Sequence, residues 1–315
     1  MKITWEGFPL QFDSHLVEET VLAASEAASS SEKDAFRRER DTIYEIETAD
    51  IRESSFQELD ARWFKRLGIA DVLLGLLGEH LLLAHRISGG YVLSASSSRD
   101  EGADLHAPRE ELTETALPVL VIRLLPKTFL DRGHLSLLLR HELLHVTDML
   151  DPEFGYEPVL PETSGGPMLQ RLIQDRYRVL WNTTIDGRLA GRGELSAHDA
   201  ERRRQEFLAD FKMLDGEAER HFQRFFKGPR PKHSELVSFA FEPRGSHRSN
   251  GRLCPLCNLP ASNLHPHPRG LHPRIVDAIR KDFPRWKQQM GLCLQCADLY
   301  DARAGVNRRS ALTGR

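Results

Sequence analysis

Residues 134–151 read HLSLLLRHELLHVTDMLD, and this stretch decides how the rest of the chain is interpreted. His141 and His145 are four residues apart, so on a helix both imidazoles lie on one face and can reach one metal ion. Glu142 is rotated by about 100° from His141 because an α-helix has 3.6 residues per turn. The spacing therefore predicts a zinc site in which Glu142, outside the ligand set, acts as general base on a zinc-bound water.

The flanking sequence predicts where this helix lies. Its apolar residues predict burial, and it ends close to Leu150 because the next residue precedes Pro152. Residues 90–96 and 118–124 are rich in Val, Ile and Tyr and predict strands, whereas Ser97 to Pro108 is expected to be a polar loop. A strand followed by HExxH resembles the zincin metallopeptidases, over roughly residues 90 to 190. The resemblance implies an edge strand beside the helix that holds the substrate backbone.

A third protein ligand is needed, and two aspartates are candidates. Asp186 shares a helix face with Asn182, which resembles the zincin arrangement where a second helix delivers an acidic ligand some forty residues after HExxH. Asn182 departs from that pattern, since the usual residue there is glutamate. Asp151 lies where metzincins place their third ligand, but Asp148 replaces the glycine of those families. We favour Asp186 as the ligand and keep Asp151 as the alternative.

All four cysteines fall into two C-x-x-C pairs, with no other cysteine in the chain. This pattern predicts a tetrahedral structural zinc site in a reducing compartment, held by Cys254, Cys257, Cys293 and Cys296. The second pair precedes a predicted helix, which resembles treble-clef and zinc-ribbon modules. Such a site is closed and contributes folding energy, so no catalysis is expected from it.

The predicted fold class is α+β: a mainly helical zincin-like domain with a small mixed sheet, followed by a small zinc-stabilised module. The predicted zincin-like domain covers 1–227, a linker 228–250, the four-cysteine module 251–303, and a disordered tail 304–315. Besides the HExxH helix, four helical segments are predicted, at Ser54 to Leu67, Ile69 to Ile87, Met168 to Leu189 and Ser196 to Phe226.

The composition is that of a globular protein, with 40% hydrophobic and 28% charged residues. Neither a transmembrane segment nor a signal peptide is predicted, which favours the cytoplasm and argues against a membrane partner. The net charge of −3 is uneven, since residues 228–315 contain 15 Lys and Arg against 6 Asp and Glu. A basic C-terminal region is a candidate surface for nucleic acid or an acidic partner.

The leading functional hypothesis is a zinc-dependent metallopeptidase-like hydrolase acting on a protein or peptide. A zincin-like domain followed by a four-cysteine module also resembles the SprT-like proteases in organisation. Those have a histidine as third ligand shortly after HExxH, and none occurs here between His145 and His198. The alternatives are a binding or regulatory protein that acts through the basic zinc module, and a zinc hydrolase of small amides.

Overall fold

The computed structural model describes residues 1–106, 117–163, 166–243, 254–257, 264 and 271–304. It is a mixed α/β structure, mostly helical, with one five-stranded sheet and a C-terminal cluster of cysteines. The strands are β1 (Lys2–Trp5), β2 (Phe8–Phe12), β3 (Gly89–Ser94), β4 (Gly102–His106) and β5 (Val119–Leu124). The helices are α1 (Ser14–Ala27), α2 (Ser30–Tyr44), α3 (Ala49–Arg66), α4 (Asp71–Gly78), α5 (Leu81–Arg86), α6 (Pro126–Leu130), α7 (Arg132–Leu150), α8 (Gly166–Gly191), α9 (Ala197–Asp210), α10 (Ala218–Lys227), α11 (His233–Phe241), α12 (Pro273–Asp282) and α13 (Leu294–Arg303).

The chain divides into two compact units. Unit 1 comprises Met1–Tyr156 and Arg188–Ser196, and unit 2 comprises Glu157–Gly187 and Ala197–Arg315. Most of the predicted linker falls on residues 228–243, which include α11, while residues 244–250 and the predicted tail from 305 onward lie outside the described residues. No helix within the described residues is both long and apolar enough to cross a membrane.

The sheet of unit 1 has the strand order β1-β2-β3-β5-β4. Strands β2, β3 and β5 are parallel, whereas β1 and β4 pair antiparallel with their neighbours. Glu6 and Gly7 connect β1 to β2 with positive φ angles of 45° and 90°, which is the geometry of a two-residue type I′ hairpin turn. Among the described residues β4 is the last strand on its side of the sheet, hence an edge strand, and it runs antiparallel to β5.

The structure corrects three predictions about local structure. Residues 102–106 form β4, although the segment was expected to be a loop. The predicted helix 69–87 is two helices, because His80 adopts a non-helical φ of −121° and buries its ring, with Nδ1 3.0 Å from Thr147 Oγ1 of α7. The predicted helix 196–226 is α9 and α10 separated by a 3₁₀ segment, Lys212–Glu217, which contains Gly216.

Helix α7 packs on the core of unit 1 through an apolar stripe. Leu135, Leu139, Leu143 and Val146 are fully buried and recur at helical spacing. The helix begins where the Asp131 side chain accepts a hydrogen bond from the His134 amide, at 3.0 Å. Its predicted end at Leu150 is confirmed. The HExxH residues therefore sit in a long helix that is fixed at both ends.

Unit 2 contains most of α8, helices α9 to α13 and the cysteines. An aromatic cluster joins three of its helices, with Phe207 of α9, Phe225 of α10 and Phe239 of α11 all buried. Helix α8 approaches the end of α10 so closely that a Cβ atom added at Gly187 would lie 1.9 Å from the Phe226 carbonyl oxygen. Only glycine fits at this crossing.

Candidate metal centres

The two histidines of α7 are positioned as a pair. His141 Nε2 and His145 Nε2 are 3.2 Å apart, and the ring centroids are separated by 4.9 Å. Both residues are half-buried. Two nitrogen ligands at 2.0–2.1 Å from a tetrahedral zinc ion would be about 3.3 Å from each other. The pair therefore fits two corners of a zinc coordination shell without rearrangement.

Glu142 lies against the edge strand β4. The carboxylate lies against the backbone of this strand, since a Cβ atom at Gly102 would lie 3.2 Å from Glu142 Oε2. Burial raises the pKa of the Glu142 carboxyl; the nearby His141 and the Ala103 amide lower it, and Asp104 raises it. Since β4 is the last strand of the sheet in the part of the chain that the structure describes, alternate amides and carbonyls along it have no strand partner there. Glu142 is placed at this outer edge.

Ion pairs fix α7 on either side of the histidines. Arg188 at the end of α8 binds the buried Asp148 through two hydrogen bonds, Nη1 to Oδ1 at 2.9 Å and Nη2 to Oδ2 at 2.6 Å. Arg140 makes a similar two-point contact with Glu79 at the end of α4, with distances of 3.1 and 2.8 Å. Bidentate pairs of this kind fix orientation as well as distance. They position the helix turn that presents His141 and His145.

The two candidate third ligands have different surroundings. Asp186 is buried in α8, within unit 2, and its Oδ2 accepts a hydrogen bond of 2.6 Å from Arg203 Nε. Asp151 caps the end of α7, where its Oδ1 accepts from the Glu153 amide at 2.9 Å. Within the described part of unit 1, no group of three or more ligand side chains is assembled around the histidine pair. The sequence prediction that Asp186 is the ligand stays a prediction.

The four cysteines are assembled into one group in unit 2. Their Sγ atoms all lie within 4.8 Å of one another, with Cys254 to Cys296 at 3.9 Å and Cys257 to Cys293 at 3.8 Å. Four sulfurs at about 2.3 Å from a tetrahedral zinc would be about 3.8 Å apart. The same distances exclude disulfide bonds here, since bonded sulfurs are about 2.05 Å apart. The structure confirms that these cysteines are positioned to bind a metal ion.

Local backbone geometry supports the cysteine group. The Cys293 amide donates to Cys254 Sγ at 3.3 Å, and the Cys296 amide donates to Cys293 Sγ at 3.4 Å. Cys293 also caps the start of α13. Amide donors and a helix N-terminus both favour the thiolate form that binds metal.

Three features of these centres were missed by sequence reasoning. The edge strand β4 has the sequence GADLH, in which Ala103 and Leu105 alternate with Asp104 and His106, but the alternation is short and includes no β-branched or aromatic residue. The partner of Asp148 is Arg188, forty residues away in the chain, and no local signal predicts that pairing. The third is the burial of Arg176 in α8, which lowers the pKa of its guanidinium to about 10, while the charges of Cys257 and Cys293 raise it.

Comparisons with protein-family models, with curated proteins and with solved structures return no match for this chain.

Proposed function

We propose that this chain is a zinc-dependent metallopeptidase-like hydrolase of the zincin type. The observation that supports this most strongly is the pairing of two features on α7. His141 and His145 have the nitrogen spacing of two zinc ligands, and the Glu142 carboxylate lies against Gly102 of the edge strand β4. A core helix without catalytic function would not need this combination of half-buried histidines, carboxylate and strand edge.

The chemistry follows from these positions. Zinc, when bound, would lower the pKa of a water molecule and polarise a carbonyl group. Glu142 would accept the proton of the attacking water and deliver it to the leaving amine nitrogen. Burial raises the pKa of the Glu142 carboxyl, which makes it easier for this group to hold that proton between the two steps.

The strand edge supplies a place for a peptide. An extended segment can add to an edge strand through main-chain hydrogen bonds, and β4 lies next to Glu142. A peptide bound there would have its backbone beside the general base. This favours a protein or peptide substrate over a small amide, which has no extended backbone to pair with β4.

Asp186 is the proposed third zinc ligand, with Asp151 as the alternative. Carboxylate ligands of metal sites are usually held by further hydrogen bonds, and Asp186 is bonded to Arg203. Asp151 has a simpler structural explanation, because it closes the end of α7 and precedes Pro152.

The test is Glu142→Gln, assayed for cleavage of an unfolded protein such as casein and for bound zinc. We expect the variant to retain two equivalents of zinc while cleavage falls by a factor of at least about 100. Glu153→Gln is the matched control, since Glu153 is exposed and lies beyond the end of the same helix. A Glu142→Gln protein as active as wild type would refute the proposal.

The zinc ligands are tested by metal content alone. His141→Ala should lose one of the two zinc equivalents and keep the other. Asp186→Ala should do the same, whereas Asp151→Ala should retain both. If Asp186→Ala retained both zinc equivalents and Asp151→Ala lost one, Asp151 would replace Asp186 as the third zinc ligand. A wild-type protein that binds zinc but hydrolyses nothing would favour the binding-protein alternative.

A further inference from the structure

The end of the chain that contains the cysteines carries a concentration of exposed positive charge. Residues 244–315 contain 13 Lys and Arg against 4 Asp and no Glu. Five of these cations lie in α12 and in the turn that follows it, and all five are exposed: Arg274, Arg280, Lys281, Arg285 and Lys287. We call these five residues the basic surface. They belong to unit 2 and are separate from the histidine pair of α7.

The aspartates of the same region do not neutralise the basic surface. Asp282, at the end of α12, binds Arg303 and accepts a hydrogen bond of 2.8 Å from the Tyr300 hydroxyl. Asp298 pairs with Lys212 at 2.5 Å. Within the residues that the structure describes, no carboxylate forms an ion pair with any cation of the basic surface. Its positive charge is therefore available to an external partner.

Helices α9 and α10, in the same unit, treat their exposed arginines differently. Arg202 pairs with Asp199 at 3.0 Å, and Arg220 pairs with Glu217 at 3.1 Å. In both pairs the two residues are three positions apart, a spacing at which opposite charges on a helix attract. Exposed arginines of this kind are satisfied within the chain, whereas those of the basic surface are not.

The surroundings of the five cations favour a polyanion over an apolar partner. The apolar residues of α12, Ile275, Val276 and Ile279, are buried, and so is Trp286, whose Nε1 donates to the Gly291 carbonyl at 3.0 Å. A protein interface usually has an apolar or aromatic centre, and a helix that lies on a membrane needs an exposed apolar face. Interfaces with nucleic acid are more polar and much more positively charged. The basic surface has this second character.

We infer that the basic surface binds nucleic acid through its phosphate backbone. Arg274 and Lys281 are seven residues apart, so they lie on the same side of α12 at a separation of about 10 Å along its axis. Three of the five cations are arginines, whose planar guanidinium matches a phosphate group with two hydrogen bonds. No aromatic side chain is exposed within residues 273–290, so bases have nothing to stack on there. Binding at this surface is therefore independent of sequence and does not depend on hydrolysis at α7.

The test measures binding of the full chain to a fluorescent DNA duplex of mixed sequence by anisotropy, between about 0.05 and 0.2 M salt. A plot of log Kd against log salt concentration has a slope of about 0.9 for each phosphate contact. We expect Arg280→Gln/Lys281→Gln to lower this slope by about 2 and to weaken binding about 10- to 60-fold at 0.1 M salt. Arg285→Gln/Lys287→Gln, beyond the end of α12, should have a similar effect.

The matched control is Arg202→Gln/Arg220→Gln, which removes the same net charge from arginines that already have carboxylate partners. It should leave the slope and the affinity close to those of the wild type, and thermal unfolding checks that all three double variants are folded. Equal weakening by the control would show that only overall charge matters and would overturn the inference. Absence of duplex binding at low salt would do the same. Tighter binding of an acidic peptide than of the duplex would assign the surface to a protein partner instead.

Discussion

Replacing Asp148 and replacing Arg188 should each destabilise unit 1, and the loss of Arg188 should cost more free energy of unfolding than the loss of Asp148. In Arg188→Met the carboxylate of Asp148 loses its guanidinium at a site where the aspartate side chain is 0% exposed. Breaking a buried pair in this way costs about 3–5 kcal/mol. In Asp148→Asn the remaining charge belongs to Arg188, whose side chain is 22% exposed and can be partly rehydrated. We expect a cost there of about 1.5–3 kcal/mol, the range for hydrogen bonds to charged groups.

The assay is urea unfolding of both single variants and of the double variant Asp148→Asn/Arg188→Met. The double variant should be less destabilised than the sum of the singles by at least about 1 kcal/mol, because the second substitution removes the charge that the first left behind. Since the chain has two units, the transition is followed by a tryptophan signal from unit 1, such as Trp63 in the core. Equal effects of the two single variants, or additive effects in the double variant, would refute the reasoning.

Two further predictions concern other parts of the molecule. Gly187→Ala should destabilise unit 2 by about 3 kcal/mol or more, because its Cβ would overlap the Phe226 carbonyl; Gly191→Ala, where a Cβ meets nothing within 4 Å, should be close to neutral in the same denaturation assay. Burial raises the pKa of Asp60 to about 6 from the ordinary 3.8, with Glu18 adding to the effect, so the folded state holds this proton more tightly than the unfolded state. The ionised Asp60 carboxylate therefore destabilises the folded state, by nothing below about pH 4 and by the full amount above about pH 6. Asp60→Asn should stabilise the protein by about 2–3 kcal/mol at pH 7.5 and by almost nothing at pH 3.5. A gain of the same size at both pH values would contradict this.

Local signals predicted the helix that carries HExxH, and long-range contacts determined what it faces. The boundaries of α7 follow from Asp131 as a cap and from Pro152 after the last turn, and both signals can be read from a few residues. The edge strand β4 has only a weak signal, because its alternation of Ala103 and Leu105 with polar residues is five residues long, and the segment is a strand through its pairing with β5. The β1–β2 hairpin did have a readable signal, since Glu6-Gly7 separates two short apolar segments.

The break between α4 and α5 shows how a tertiary contact overrides helical periodicity. Residues 69–87 are apolar enough for one continuous buried helix. The structure instead turns at Glu79 and His80, where the carboxylate binds Arg140 and the imidazole meets Thr147. Both partners belong to α7, about sixty residues later in the chain. A pattern of apolar residues predicts burial well, but it does not show which polar residue will end a helix to reach a distant partner.

The sequence alone defines the ligands of the cysteine centre more completely than those of the histidine centre. The number of candidate ligand residues explains much of this difference. The chain has 4 cysteines, so two C-x-x-C pairs leave one possible four-sulfur group, which the structure confirms as positioned for a metal. The chain has 46 Asp and Glu residues, so a carboxylate ligand cannot be identified by elimination. Helical spacing supplies His141 and His145, because four residues make about one turn, but the third donor must come from another element. Zinc content in the Asp186 and Asp151 variants supplies the long-range information that spacing lacks.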